Sequence, residues 1–401
     1  MTRLSVAEQT LLEQAAAAPM LAQVEQWAAI NSGSRHLEGL ARMASMLADA
    51  FAALPGNIRL VEPAPVDAVM PDGRVAPVGH GRHLHLSVRP DAPVRVLLTG
   101  HMDTVFAADH SFQQSRWLEP GRLNGPGVAD MKGGLAVMLA ALAALEHSAL
   151  APNLGYDIVI NSDEEVGSPS SAGLLREAAQ AKVAAFTYEP ALPDGTLAGA
   201  RAGSGNFSIT VMGRSAHAGR NPEDGRNAVL AAADLALRLK AASGSGFTCN
   251  PAKIDGGGPN NVVPDHAVLR VNLRPRTPED EQAARILIDR TMADVARDHD
   301  VSLHLHGGFG RPPKPMDAKA ERLFGLVRRC GADLGLPIGW RDTGGVCDGN
   351  NIAACGVPVV DTMGARGGAI HSDAEYLLTD SLPERAQLSA LALLRIAQGR
   401  L

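Results

Sequence analysis

Asp163, Glu164 and Glu165 stand side by side in NSDEEVGS (161–168), directly after the strand-like YDIVI. Three adjacent carboxylates at the end of a buried strand repel one another and lose hydration, so they need either open water or a compensating positive charge. Four other segments place acids or histidines just after a strand pattern. LLTGHMDTV offers His101 and Asp103, and GPGVADMKGG offers Asp130 in a glycine-rich loop that leads into a helix. FTYEPA offers Glu189, and GGAIHSDAEY offers His371 beyond the strand-like VPVVD. In open α/β sheets, functional groups gather outside the carboxyl ends of the strands. Two imidazoles with several carboxylates there suit one or two divalent cations of the zinc class. Such ions would also offset the repulsion within the acidic run. Taken singly, His101 reads as a hydrogen-bonded structural residue, and Asp130, Glu165 or Glu189 as a helix cap or a solvated loop acid. Convergence of five sites at one end of a sheet favours the metal.

The elements that would position these residues follow an alternating order. Helical patterns cover residues 6–29 and 37–53, then strand patterns appear in HLHLSV (83–88) and VRVLLTG (94–100). GGLAVMLAALAALEH (133–147) is long, Ala/Leu-rich and free of breakers, hence a helix. Strand YDIVIN, helix SSAGLLREAAQ and strand VAAFTY complete an α/β pattern with a mainly parallel sheet. From residue 202 the order becomes β-α-β-β-α-β, a ferredoxin-like unit. The proline-rich RPPKP (311–315) marks its exit, and α/β patterning then resumes. The expected organisation is a catalytic domain in two parts, 1–201 and 314–401, with a lid of residues 202–313 inserted between them.

Composition narrows the partners. The 401 residues are 45% hydrophobic and 20% charged with net charge −6, and they show no Lys/Arg run, which argues against nucleic acid or an anionic membrane. Aromatics at 3% are too few for base-stacking platforms. The four cysteines (Cys249, Cys330, Cys347, Cys355) are scattered and read as reduced structural thiols. The amino-terminal MTRLSVAEQTLLEQAAAAPML carries Glu8 and Glu13 and is not read as a leader. No apolar run approaches the roughly 18 residues of a membrane span. A cytoplasmic protein is expected.

GHMDTV, GPGVADMKGG, NSDEEVGS, YEP, SAHAGRNPEDGRNA and IHSDAEY, in this order, resemble the M20 family of di-zinc metallopeptidases. The resemblance is nearest to the glutamate carboxypeptidase branch, with acetylornithine deacetylase and succinyl-diaminopimelate desuccinylase more distant. It implies that Asp130 bridges two zinc ions, with His101 and Glu189 on one and Glu165 and His371 on the other. Cobalt or manganese would be able to substitute. Glu164 would be the general base, a choice between Glu164 and Glu165 that the residues alone leave open. Asp103 would accept the free imidazole N–H of His101, and the Asp130–Met131 peptide would be cis. Glu189 stands where the glutamate carboxypeptidase branch carries Asp and the deacylase branches carry Glu, which keeps a deacylase open. TGGVCDGNN (343–351) departs from the usual Thr/Ser-Asp loop, and Cys347 is read as a structural or pocket-wall thiol.

In the lid, His217 of SAHAG reads by itself as a solvated loop histidine and Arg276 of NLRPRTPED as a surface ion-pair partner. The resemblance implies that His217 reaches a partner subunit's active site and polarises the scissile carbonyl there. It also implies that Arg276 clamps the substrate's α-carboxylate, with Asn261 of GGPNNVV contacting the same group. The expected protein is a homodimeric di-zinc hydrolase cleaving the amide bond of an N-acyl or N-peptidyl amino acid with a free carboxylate. The alternatives are an N-acyl-amino-acid deacylase and an inactive metal- or peptide-binding homologue.

Overall fold

The computed structural model describes residues 4–244 and 246–401; Met1–Arg3, the start of the segment read as lacking a leader, lie outside it. The apolar runs identified above form a six-stranded sheet. Its order across the sheet is Asn57–Val61, His83–Val88, Leu154–Asn161, Val94–His101, Ala184–Thr187 and Val359–Val360. The last four strands run parallel, while His83–Val88 is antiparallel to both its neighbours. Alternation along each strand serves two faces. Val96, Leu98, Ile158, Ile160 and Phe186 enter the larger core, and Leu97, Val159 and Ala185 enter a smaller one against Leu175 and Ile352. Both faces are covered, which explains why Leu154–Asn161 is buried at every position.

The larger core is centred on Gly133–Glu146, packed against Ser381–Ala397, Val6–Ala16 and Met20–Ala28. Together with the preceding turn, the helix Val128–Glu146 is long and apolar enough by composition to cross a membrane, which corrects the expectation that no run approaches that length. Its most apolar window is 94% buried inside the protein. The continuous amino-terminal helix pattern is interrupted at Pro19, so Val6–Ala16 and Met20–Ala28 are separate helices.

A second unit lies between Ser204 and Arg311. Its strands Ser204–Met212, Phe247–Gly256, His266–Pro275 and Ser302–Arg311 form an antiparallel sheet in the spatial order second, third, first, fourth. Helices Ala228–Ala241 and Pro278–His299 cover one face and build a core of their own around Phe207, Ile209, Leu235, Leu269 and Ile288. Thr277 caps the longer helix with a capping box to Asp280. The chain enters and leaves this unit through two paired connections, where Arg201 and Lys314 exchange backbone hydrogen bonds of 2.9 Å. Both side chains grip the buried Asp361, Arg201 Nε at 2.6 Å and Lys314 Nζ at 3.1 Å.

Within the interior strand Leu154–Asn161, Asp157 accepts from His85 Nε2 at 2.9 Å and pairs with Lys182 Nζ at 2.8 Å. Burial pushes its carboxyl up, but the bonds from His85 and Lys182 prevail and hold it down at about 2. A depressed folded-state value stabilises above the unfolded carboxyl value of about 3.9. Asp157→Asn should therefore cost about 3 kcal/mol at neutral pH, as loss of one partner of a buried pair does. Urea denaturation at stepped pH should show the gap to wild type narrowing as pH falls from about 4 towards 2.

Candidate active site

The carboxyl ends of three parallel strands deliver most of the site. Val94–His101 ends on His101, Leu154–Asn161 leads into the turn Glu164–Val166, and Ala184–Thr187 runs out to Glu189. Asp130 comes from the irregular turn Val128–Lys132, where the Asp130–Met131 peptide is cis, and His371 from the loop after Gly367–Gly368. The Asp130 carboxylate sits between the two imidazoles. Its Oδ1 is 3.1 Å from His101 Nε2 and its Oδ2 3.3 Å from His371 Nε2. Glu189 lies 3.7 Å from His101 Nε2, and Glu165 lies 3.1 Å from His371 Nε2. Two sets of ligand-type atoms, one on His101, Asp130 and Glu165 and the other on His101, Glu164 and Glu189, each fall within 4.8 Å of one another.

The electrostatics are those of an anion cluster. Burial, reinforced by neighbouring carboxylates, pushes Glu165 up to about 7 and raises Glu164 and Glu189 as well. Burial also pushes Asp130 up, but His101 and His371 override it and hold the group well below the usual carboxylate range. His371 is raised to about 11 by its hydrogen bonds to Asp130 and Glu165. The Nε2 atoms of His101 and His371 are both aimed at carboxylate oxygens, the arrangement in which either a proton or a metal cation satisfies both sides.

Supporting bonds fix the cluster. His101 Nδ1 lies 2.9 Å from the Asp103 carbonyl oxygen, nearer than the 3.4 Å to the Asp103 carboxylate, so the expected carboxylate acceptor is in second place. That carboxylate instead accepts from Ser34 Oγ (2.7 Å) and from the amides of Glu164 (3.1 Å) and Glu165 (3.2 Å). Glu375, just beyond His371 in the same motif, accepts from the amides of Gly127 (3.3 Å), Ala129 (3.0 Å) and Asp130 (3.0 Å).

A cleft of about 850 Å³ opens above these groups, between the parallel sheet and the uncovered face of the inserted unit. Asn206, Asn272 and Arg274 contribute from that face, and Arg201, Arg311 and Cys347 line the cleft from other sides. The Cys347 thiol is held well above its usual range by burial and caps the helix Asp348–Ala353 through Gly349, as suits a structural thiol. Arg276 is exposed and does not line the cleft. The strand His266–Pro275 ends before it, and the arginine that the alternation of the strand turns into the cleft is Arg274. Nothing in NLRPR separates the two arginines except where the strand stops. His217 and Asn261 are also exposed and outside the cleft of their own chain. They lie together, with His217 bridged to Val262 and the Ala218 amide donating to the Asn261 carbonyl.

Residues 97–395 match the model of Peptidase family M20/M25/M40. The chain belongs to that family. It is a hydrolytic enzyme, an M20 metallohydrolase. It is similar to carboxypeptidase G2 of Pseudomonas sp. (strain RS-16), with 30% identity over 76% of this chain and 74% of the relative. It is also similar to succinyl-diaminopimelate desuccinylase of Xanthomonas oryzae pv. oryzae (strain PXO99A), with 32% identity over 71% and 79%. Among solved structures, the YXEP protein of Bacillus subtilis, a dinuclear metal binding peptidase, shares the fold with a TM-score of 0.64 at 15% identity, over 94% of this chain and 98% of the other.

Removing Glu375 should loosen Asp130 without touching the ligand-type atoms themselves. Glu375→Ala is expected to weaken divalent-metal binding 10- to 100-fold in calorimetric titration, the usual consequence of losing an outer-shell partner. Unchanged affinity would mean that the loop holds Asp130 by other means.

Proposed function

We propose that this M20 enzyme is a zinc-dependent hydrolase of carboxypeptidase type, cleaving the amide bond of an N-acyl or N-peptidyl amino acid that bears a free α-carboxylate. The observation that carries the reading is the Asp130 carboxylate shared between His101 and His371, at the floor of a cleft walled by arginine. In this reading His101, Asp130 and Glu189 hold one zinc ion, and Asp130, Glu165 and His371 the other. The donor set of imidazoles and carboxylates suits zinc, with cobalt or manganese as substitutes. When bound, the ions supply Lewis acidity, lowering the pKa of water and polarising a carbonyl.

The chain's own groups do the rest. Glu164 takes a proton from the attacking water and returns it to the leaving nitrogen. Arg274, whose Nη1 donates to the Gly344 carbonyl at 2.8 Å, is held against the cleft wall, where its planar fork suits a substrate carboxylate. Arg274 takes over the role expected of Arg276. The desuccinylase relatives support a second reading, hydrolysis of an N-acyl amino acid with a small acidic acyl group. A screen that sets dipeptides against N-succinyl amino acids separates the two.

Pairing of two chains through the lid, residues 202–313, belongs to the same proposal. Leu230 and Leu237, 60% and 71% exposed, share one face of the helix Ala228–Ala241, and such a face suits an isologous contact. His217 and Asn261 would then serve the partner's site. A cytoplasmic location fits the four free cysteines.

Chelation should abolish hydrolysis and added zinc or cobalt should restore it, while Glu164→Gln should lose at least about 10²-fold in kcat with metal content unchanged. Full activity in protein shown by elemental analysis to be metal-free would exclude the reading. The in-trans role of His217 has its own test. Glu164→Gln and His217→Ala chains, each inactive, are mixed and allowed to exchange subunits. Activity should return to about a quarter of wild type, since half the dimers are mixed and each has one intact site. No recovery in a verified heterodimer would place His217 in its own chain's chemistry or outside it.

A further inference from the structure

Arg311 is the last residue of the strand Ser302–Arg311 in the inserted unit, and it is 3% exposed. The proline-rich segment that follows it was legible only as an exit from that unit, and nothing there marked a functional side chain. One amino group, Nη2, reaches three acceptors. They are the Glu164 carboxylate at 2.8 Å, the carbonyl oxygen of the same Glu164 at 2.9 Å and Ser168 Oγ at 3.0 Å. The other, Nη1, faces the Asp348 carboxylate at 3.5 Å and makes no hydrogen bond.

A cation that holds both the carboxylate and the backbone of one glutamate removes most of that side chain's rotamer freedom. Glu164 is held through its amide as well, which donates to Asp103 Oδ1 at 3.1 Å. The two anchors come from different parts of the fold. Asp103 follows a strand of the parallel sheet, whereas Arg311 belongs to the inserted sheet, pairing with Ser204 across its strand.

We propose that Arg311 is a positioning residue for the reaction. It aims the Glu164 carboxylate at the cleft, and it makes that aim depend on where the inserted unit sits over the parallel sheet. The proposal rests on the reading of Glu164 as the base. Its content is that Arg311 acts through Glu164, without holding substrate directly.

A double-mutant cycle on the zinc-loaded enzyme tests this, using Arg311→Met, Arg311→Lys, Glu164→Gln and the Arg311→Met/Glu164→Gln double variant. Arg311→Met should lower kcat about 10²-fold, near the lower end of what general acid–base catalysis supplies, with KM within about threefold of wild type. Arg311→Lys, which keeps the charge but not the fork, should recover part of the loss. The double variant should be no slower than Glu164→Gln alone, because residues that act as a unit are not additive. A crystal structure of Arg311→Met should show the Glu164 side chain in more than one rotamer with both metal ions bound.

A raised KM at unchanged kcat, or losses that multiply in the double variant, would overturn the proposal and assign Arg311 to substrate binding. A single unchanged Glu164 rotamer in that crystal structure would also overturn it. Wild-type kcat in Glu164→Gln would instead remove the assignment of the base itself, whatever Arg311 does. Should Arg311→Met fail to fold by its melting curve, Arg311→Gln carries the same kinetic and crystallographic readings.

Discussion

The carboxylate of Asp130, shared between His101 and His371, is the constraint to which the rest of the site answers. One side chain must present its two oxygens to two imidazoles that lie 270 positions apart in the sequence, at 101 and 371. That demands a backbone held tightly at Asp130. Three amides around it, those of Gly127, Ala129 and Asp130, converge on Glu375, and Lys132 is buried beside it with its ammonium on the Ile30 carbonyl. Burial lowers Lys132 to about 8 and raises Glu375 to about 7, a sign of how little water reaches this support. The apolar helix Gly133–Glu146 then anchors the turn in the core. Its lack of polar faces is the consequence of being surrounded.

Crowding so many acids at one sheet end is unfavourable unless positive charge answers it, and the protein answers it in layers. Imidazoles face the carboxylates directly. Behind them, Arg201 and Lys314 neutralise Asp361, and Arg311 lies between Glu164 and Asp348. The same cations mark the two connections to the inserted unit. Asn350 ties those connections together, donating to the carbonyls of Ala202 (2.9 Å) and Pro312 (2.7 Å). The connections between the two units and the charge compensation of the site are therefore made from the same few residues.

Much of this arrangement was legible in the chain itself. Period-two and continuous apolar runs define the strands, and His101, the acidic run and Glu189 follow those strands directly, so strand ends and most of the chemistry could be read together. The switch to β-α-β-β-α-β order marked the inserted unit. His101, Asp130, Glu164, Glu165, Glu189 and His371 needed no tertiary information to be noticed, because buried strands rarely end in such groups without cause.

Three-dimensional packing decided what spacing cannot express. Whether Arg274 or Arg276 faces the cleft depends on the residue at which a strand stops, and both lie in the same five-residue run. Asp103 was legible as a partner of His101, but its carboxylate turns to the Glu164 and Glu165 amides because a backbone carbonyl already serves the imidazole. Arg311 carries no local signal, and Glu375 and Asp361, although they lie in IHSDAEY and at the end of VPVVD, act on groups far away in the chain that those motifs do not name. The sequence by itself determined the set of groups able to hold cations and the strands that present them. Only the tertiary structure decided which distant charges and amides hold those groups in place, because burial and long-range pairing set the energy of a charge, and neither is a property of its neighbours in the chain.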